Sequence, residues 1–162
     1  MAKTASQIDT SKEQLMASFS KQEIQNILAQ KDRWITLSTL DKEGFPHSVP
    51  LGYFLSGENV ILGCRDNTQK VKNIERHNRV SLLWENGRGE EFLQGIMIRG
   101  LARIVRDDQE RLKLKTIACR QRKQAPPTSV SPGVVYIEVV PVKTLTWNRP
   151  SRHGRSGARA ES

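Results

Sequence analysis

The residues best placed to do chemistry lie in one run, Gly63-Cys64-Arg65-Asp66-Asn67-Thr68-Gln69-Lys70. The spacing predicts a strand that ends, a polar turn, and a helix capped by Asn67 or Thr68. Unpaired backbone N–H groups and the positive helix end then face the same space as Arg65, Thr68 and Lys70. Such a space suits a phosphate: Arg65 can fork onto two oxygens, Lys70 adds a point charge from the first turn, and the Thr68 hydroxyl can donate. An ordinary capped helix with exposed basic residues has the same spacing, so on this ground alone both readings stand.

Other reactive types are scattered. His47 opens a strand, where it can donate to a substrate oxygen or act as an acid, or serve as a surface or hydrogen-bonded structural residue. Tyr53, farther along that strand, is a second candidate proton donor. His77 falls at the end of a short helix, where the negative dipole end favours it. Glu90 and Glu91 are neighbours, so in a strand they point to opposite faces and make no carboxylate pair. Cys64 and Cys119 are far apart, with no Cys-x-x-Cys pair and no His at metal spacing. Both read as thiols of a reducing compartment, and no metal site is expected. The sequence has no Ser-His-Asp elbow and no P-loop.

The elements that must position these residues follow from periodicity. Ser20 and Glu23 have capping-box spacing ahead of Ile24, Ile27 and Leu28, which predicts a helix over 20–30. Arg33 to Leu40 is rich in β-formers, and Asp41-Lys42-Glu43-Gly44 supplies a tight turn. Pro46 to Leu55 places Val49, Leu51, Tyr53 and Leu55 on one face, and Ser56 to Asn59 turns the chain into Val60–Cys64. A short helix carrying Val71 and Ile74 ends near Asn78, and Arg79 to Glu85 is a strand. After a polar loop at Asn86 to Glu90, Glu91 to Val105 forms a long strand. Phe92, Ile96, Ile98, Ala102 and Ile104 alternate there with Leu93, Met97, Arg99, Leu101 and Arg103. Both faces are partly apolar, so one is expected to meet the interior and the other a partner subunit. A helix then runs from Asp107 or Asp108 to about Lys123 with Leu114, Ile117 and Ala118 as its buried stripe. Ala125 to Gly133 is a proline-bearing loop, and Val134 to Trp147 closes the sheet. Successive hairpins with one long helical crossover point to a mainly β fold with flanking helices, a closed antiparallel barrel of six strands.

The chain of 162 residues fits one domain over residues 19–148. Residues 1–18 read as a flexible leader and 149–162 as a basic disordered tail. No stretch approaches the roughly 20 apolar residues that span a bilayer, and Met1 to Glu13 lacks a secretory apolar run, so a cytoplasmic protein is expected. The net charge of +9 raises a nucleic-acid reading. Its distribution argues against that reading. Arg149, Arg152, Arg155 and Arg159 sit in the tail against Glu161 alone, and much of the remainder lies on the helix spanning Arg106 to Lys123 as a solvated face.

Four segments together carry a resemblance. Gly44-Phe45-Pro46-His47-Ser48-Val49-Pro50, Val60-Ile61-Leu62-Gly63-Cys64-Arg65, Lys70-Val71-Lys72-Asn73-Ile74 and Asn78-Arg79-Val80-Ser81-Leu82 resemble, in order and spacing, the pyridoxamine 5′-phosphate oxidase-like superfamily of flavin and deazaflavin oxidoreductases. The likeness spans about residues 20 to 147. It implies a homodimeric split β-barrel with two cofactor sites at the subunit interface. The cofactor it implies is FMN, in some branches the deazaflavin coenzyme F420, and less often haem. Carried over by position, Arg65, Thr68, Gln69 and Lys70, with Cys64 beside them, hold the phosphate. Ser48, Val49, Pro50 and Leu51 pass beside the flavin ring, and Gln94 and Trp147 are weaker candidates supplied across the dimer. Trp147 reads equally well as a buried residue closing the barrel. The arginine-rich substrate signature of true pyridoxamine phosphate oxidases has no counterpart here, so vitamin B6 oxidation is not assigned. The resemblance therefore implies an oxidoreductase acting on a small molecule, with NAD(P)H as a possible donor. The alternative is a non-catalytic flavin or haem binder, whose haem would need His47 or His153 as axial ligand. A basic nucleic-acid module is the third reading.

Overall fold

In the computed structural model, the described residues are 19–30, 34–87 and 91–150. The leader, the loop residues 88–90 and the tail beyond residue 150, with His153, lie outside them. The elements are α1 (Lys21–Leu28), β1 (Trp34–Leu40), β2 (Pro46–Ser56), β3 (Asn59–Arg65), α2 (Gln69–Arg76), β4 (Arg79–Glu85), β5 (Phe92–Val105), α3 (Asp108–Gln121) and β6 (Val134–Pro150). The strands close into a ring in the order β1-β2-β3-β6-β5-β4, every neighbour antiparallel.

Alternation explains the ring. On each strand every second residue is apolar, and these side chains converge inside: Ile35 and Leu37, Val60 and Leu62, Leu82 and Trp84, Ile96 and Ile98, Ile137 and Val139. Each fully buried side chain of this size stabilises the fold by about 1.5–3 kcal/mol over leaving it in water.

The two ends of the ring are stopped by helices. At one end sits α1, begun by the expected capping box: the Glu23 N–H donates to Ser20 Oγ at 3.2 Å and the Ser20 N–H to Glu23 Oε2 at 2.7 Å. Its Leu28 is buried, and the Tyr53 hydroxyl donates to the Leu28 carbonyl at 2.8 Å. At the other end sits α2, whose Val71 and Ile74 face the core. Between them Asn73 is fully buried, and its Nδ2 donates to Thr39 Oγ1 of β1 at 2.9 Å. A buried amide left unbonded costs on the order of 1–3 kcal/mol, so this contact fixes where α2 can sit.

One outer face is covered by α3. Leu114, Ile117 and Ala118 pack on Phe54, Ile61, Val105 and Tyr136, with Phe54 and Tyr136 edge to face at 5.8 Å. The stripe is as expected, but the helix also buries Arg111. That guanidinium bonds Asp108 at 2.8 Å, the Ser131 carbonyl at 3.1 Å and the Val134 carbonyl. The opposite outer face is bare: Trp34, Leu83, Leu101, Val140 and Val142 are exposed on it or at its edge. A bulge at Arg99/Gly100 leaves Val142 without a partner across the ladder, and a Cβ on Gly100 would sit 2.5 Å from Val139 Cγ1.

Two seams of the ring are only partly laddered: β1 meets β4 over Thr36–Ser38 alone, and the seam between β2 and β3 is half closed, open at the end that carries the turn after β3. β2 pairs with β3 over Tyr53–Ser56 alone; from Pro46 to Gly52 it is laddered only to β1, while β3 continues on β6 to Arg65. Boundaries differ slightly from expectation: α3 stops at Gln121, and β6 runs on to Pro150, with Leu93 opposite Arg149. Among the described residues no helix is long and apolar enough to cross a membrane.

Candidate functional site

The half-closed seam ends at the segment that the sequence singled out. β3 finishes at Arg65, Asp66 to Thr68 turn the chain, and α2 begins at Gln69. Asn67 takes a left-handed φ of 60°, which Asn tolerates better than most residues, and its N–H donates to Asp66 Oδ1 at 2.8 Å. Thr68 occupies the N-cap position yet does not cap: its hydroxyl donates back to the Arg65 carbonyl at 3.1 Å. The first-turn N–H groups of α2 thus have no side-chain acceptor from the cap, and no acidic residue stands in that turn.

Electrostatics reinforce this. Among the described residues neither Arg65 nor Lys70 is in an ion pair, whereas Asp66 is held by Arg106 through two bonds of 2.8 Å. That guanidinium, with the Asn67 N–H, lowers the Asp66 carboxyl to about 2. Burial pushes the Cys64 thiol up, while the nearby Lys70 ammonium and a bond from Thr68 pull it down. Cys64, Thr68 and Lys70 therefore converge on one space at the ring's end. The Lys70 ammonium, with the uncapped N–H groups, suits a doubly charged oxyanion such as the phosphate of a flavin, whereas the Thr68 hydroxyl proton is given to the Arg65 carbonyl. Arg65 stands somewhat apart. By strand alternation it leaves β3 on the side of Ile61 and Gly63, opposite to Cys64, and reaches the space only over the rim.

The other expected site residues divide into two groups. His47, Ser48, Val49, Pro50 and Leu51 lie on the part of β2 that has left β3, level with the anion turn. A chain of bonds ties them to α2: Gln69 Nε2 donates to Asn73 Oδ1 at 2.7 Å, Asn73 to Thr39, and Thr39 Oγ1 to the His47 carbonyl at 3.4 Å. Gln69 is engaged in this chain. The Ser48 hydroxyl pairs with that of Ser38 at 2.8 Å, while Val49 and Leu51 stand opposite Leu37 and Ile35 on the inner face.

Tyr53 stands opposite Leu62, close to Arg65 along β3, but turns its hydroxyl to the Leu28 carbonyl of α1; Gln94 and Trp147 are at the far end. Gly95 pairs with Trp147, and Val105 with Tyr136 beside the anion turn, so within one chain roughly 30 Å of strand separates them. Trp147 is not a residue inside the barrel. It is half-buried on the outer face, its indole lying over Gly95, where a Cβ would come within 1.9 Å of the ring. Only glycine permits that stack. The Gln94 N–H donates to Asn86 Oδ1 at 2.9 Å.

Two grooves lie elsewhere. One of about 800 Å³ runs over the bare face past Ser38, Arg79, Ser81, Arg99 and Leu101. Another of about 700 Å³ lies between the end of α1, β2 and the end of α3, beside Trp34 and Arg122.

The residues that sequence reasoning missed are supports. Arg106 and Asp66 are 40 positions apart, and neither periodicity nor a local motif links them. Arg111 is buried on a helix whose charges, by sequence, read as a solvated face.

Comparison with known proteins agrees with this architecture. The family profile described as pyridoxamine 5′-phosphate oxidase matches residues 20–148. No curated protein matches the chain. Among solved structures, a conserved hypothetical protein of Mycobacterium tuberculosis is 23% identical, with 91% of this chain and 93% of that one covered and a TM-score of 0.70. The FAD-binding protein of Mycobacterium smegmatis is 18% identical over 83% of this chain and 99% of its own, with a TM-score of 0.61. A structure titled F420 reductase is 21% identical over 74% and 94%, with a TM-score of 0.56. At such identities these likenesses speak for the fold, and the profile match over nearly the whole six-stranded domain decides the family: the chain belongs to the pyridoxamine 5′-phosphate oxidase family.

Proposed function

We propose that this chain is a homodimeric split-barrel oxidoreductase that holds FMN or the deazaflavin coenzyme F420 by its phosphate and acts on a small molecule. The observation that carries the reading is the uncapped start of α2, where Thr68 turns its hydroxyl away and Lys70 has no acid partner among the described residues. Family membership, and neighbours titled FAD-binding protein and F420 reductase, support a flavin-type group there.

The bound cofactor supplies hydride chemistry at its ring. The chain's own residues bind and orient. Lys70 and the first-turn N–H groups hold the phosphate, with Arg65 at the rim. The free run of β2 from His47 to Leu51 offers main-chain groups to a ring lying along it. Gln94 and Trp147 lie too far away to complete the site of their own chain, so they reach the cofactor from a second copy. The bare face supports that dimer, since its exposed apolar side chains are of the kind that interfaces cover. A substrate and an NAD(P)H donor then approach the uncovered side of the ring.

The experiment is absorbance and mass analysis of cofactor released from the purified protein, beside Arg65→Ala and Lys70→Ala variants. Bound flavin or deazaflavin that is lost chiefly in Lys70→Ala supports the reading. A protein that stays colourless and takes up neither cofactor on titration defeats it. One observation favours a second reading, a flavin carrier without turnover: the Tyr53 hydroxyl, a candidate proton donor, is committed to the Leu28 carbonyl of α1. Cofactor that binds but is never reduced by NAD(P)H and never reduces an acceptor would select that reading.

A further inference from the structure

A carboxylate, Asp66, lies inside the sequence of the anion turn, next to Arg65 and two residues before Thr68. Left free, it would oppose a phosphate. Arg106, the residue that links β5 to α3, takes it up with Nε on Oδ2 and Nη2 on Oδ1, both at 2.8 Å. The same Nη2 reaches Glu75 Oε1 on the second turn of α2 at 2.6 Å. The Asp66 N–H is bonded to the Gly133 carbonyl at 2.9 Å, and Gly133 belongs to the loop that Arg111 pins to α3 through the Ser131 and Val134 carbonyls. One guanidinium thus ties the turn to the helix that follows it and cancels carboxylates on both. Beside this geometry, burial raises the Cys64 thiol, the Lys70 charge lowers it and the Asp66 charge raises it slightly.

We infer that Arg106 is a positioning residue for phosphate recognition: it draws the Asp66 and Glu75 carboxylates away from the anion space and fixes the angle between β3 and α2, without touching the ligand itself. The inference rests on the anion-site reading above. A fork is needed for this, because only a guanidinium can hold both oxygens of Asp66 while reaching Glu75.

The test compares each flavin with and without its phosphate: FMN against riboflavin, and F420 against its phosphate-free chromophore. Dissociation constants are read by fluorescence for wild type, Arg106→Ala, Arg106→Lys, Asp66→Asn and the Arg106→Ala/Asp66→Asn pair. Arg106→Ala is expected to weaken the phosphate-bearing ligand about tenfold or more, as an uncompensated charge several ångströms away should, and to leave the phosphate-free ligand unchanged. Arg106→Lys should fall between. Asp66→Asn should bind the phosphate at least as tightly as wild type, and the double variant should recover most of the loss, which a merely misfolded turn would not do. Equal weakening of both ligands, or no recovery in the double variant, overturns the role of Arg106. Should Arg106→Ala fold poorly, Asp66→Asn decides alone, since weaker phosphate binding in that variant contradicts the inference. A wild type that binds both forms of each flavin equally, or neither, overturns the anion site and this role together. Wild-type phosphate preference that Lys70→Ala abolishes and Arg106→Ala preserves overturns this role only.

Discussion

The two outer faces of the ring solve the same problem differently. Both present apolar side chains on alternate strand positions. On one, Phe54, Ile61, Val105 and Tyr136 are covered by α3 from the same chain; on the other, Leu83, Leu101, Val140 and Val142 are exposed, with no element among the described residues packed over them. The difference teaches that the covered face belongs to folding, while the bare one is free for the association proposed above. Trp147 and Gln94, expected as site residues, lie on strands of the bare face, remote from the anion turn.

The comparison can be broken most forcefully at Ile61. Ile61→Ala opens a cavity under α3 and should lower unfolding free energy by about 2–5 kcal/mol, read from denaturant midpoints. A loss below 1 kcal/mol would mean that α3 is not essential cover. Gly95→Val comes next: its side chain collides with the Trp147 ring, and the forced repacking should cost about 1–3 kcal/mol and shift the tryptophan emission. An unchanged spectrum would show that Trp147 does not lie over Gly95. A charge on the bare face should act on assembly instead. Leu101→Glu is expected to leave the midpoint of the isolated chain within about 0.5 kcal/mol of wild type while converting dimer to monomer in sedimentation. A chain that unfolds, or a dimer that persists, would erase the distinction between the faces. The smallest effect is in acid. Asp66 ionises at about 2 in the folded chain against an ordinary 3.8, so its stabilisation is complete above about pH 4 and is lost as pH falls toward 2. The melting-temperature gap between wild type and Asp66→Asn should close over that window. A gap that persists below pH 2 would mean that the ion pair is not its source.

What was legible in the sequence follows from range. The Ser20–Glu23 capping box, the Val49–Leu55 alternation and the Leu114–Ala118 stripe are contacts within one element, and each holds in the structure. So does the strand–turn–helix around Arg65 to Lys70, because its signals are local. Arg106 on Asp66, Asn73 on Thr39 and Trp147 on Gly95 join residues from separate elements. Each involves a residue type whose local reading is different: a surface arginine, a helix-surface asparagine, a core tryptophan. Arg111 shows the same limit, since burial of its guanidinium depends on carbonyls offered by a loop twenty or more residues later.

The half-open seam has a consequence for solubility. A strand edge without a ladder partner is a template on which other extended chains can grow, and among the described residues β2 has such an edge from Pro46 to Gly52. Pro46 and Pro50 both pair with β1, and a proline has no N–H to give, so their nitrogens must face the open side. Between them that edge retains only the Ser48 N–H as a donor. An incoming strand finds a broken row and cannot zip, while a small molecule that needs a single donor among carbonyls is well served. The same two prolines thus guard the opening against the chain's own aggregation and would leave it accessible to the cofactor proposed above.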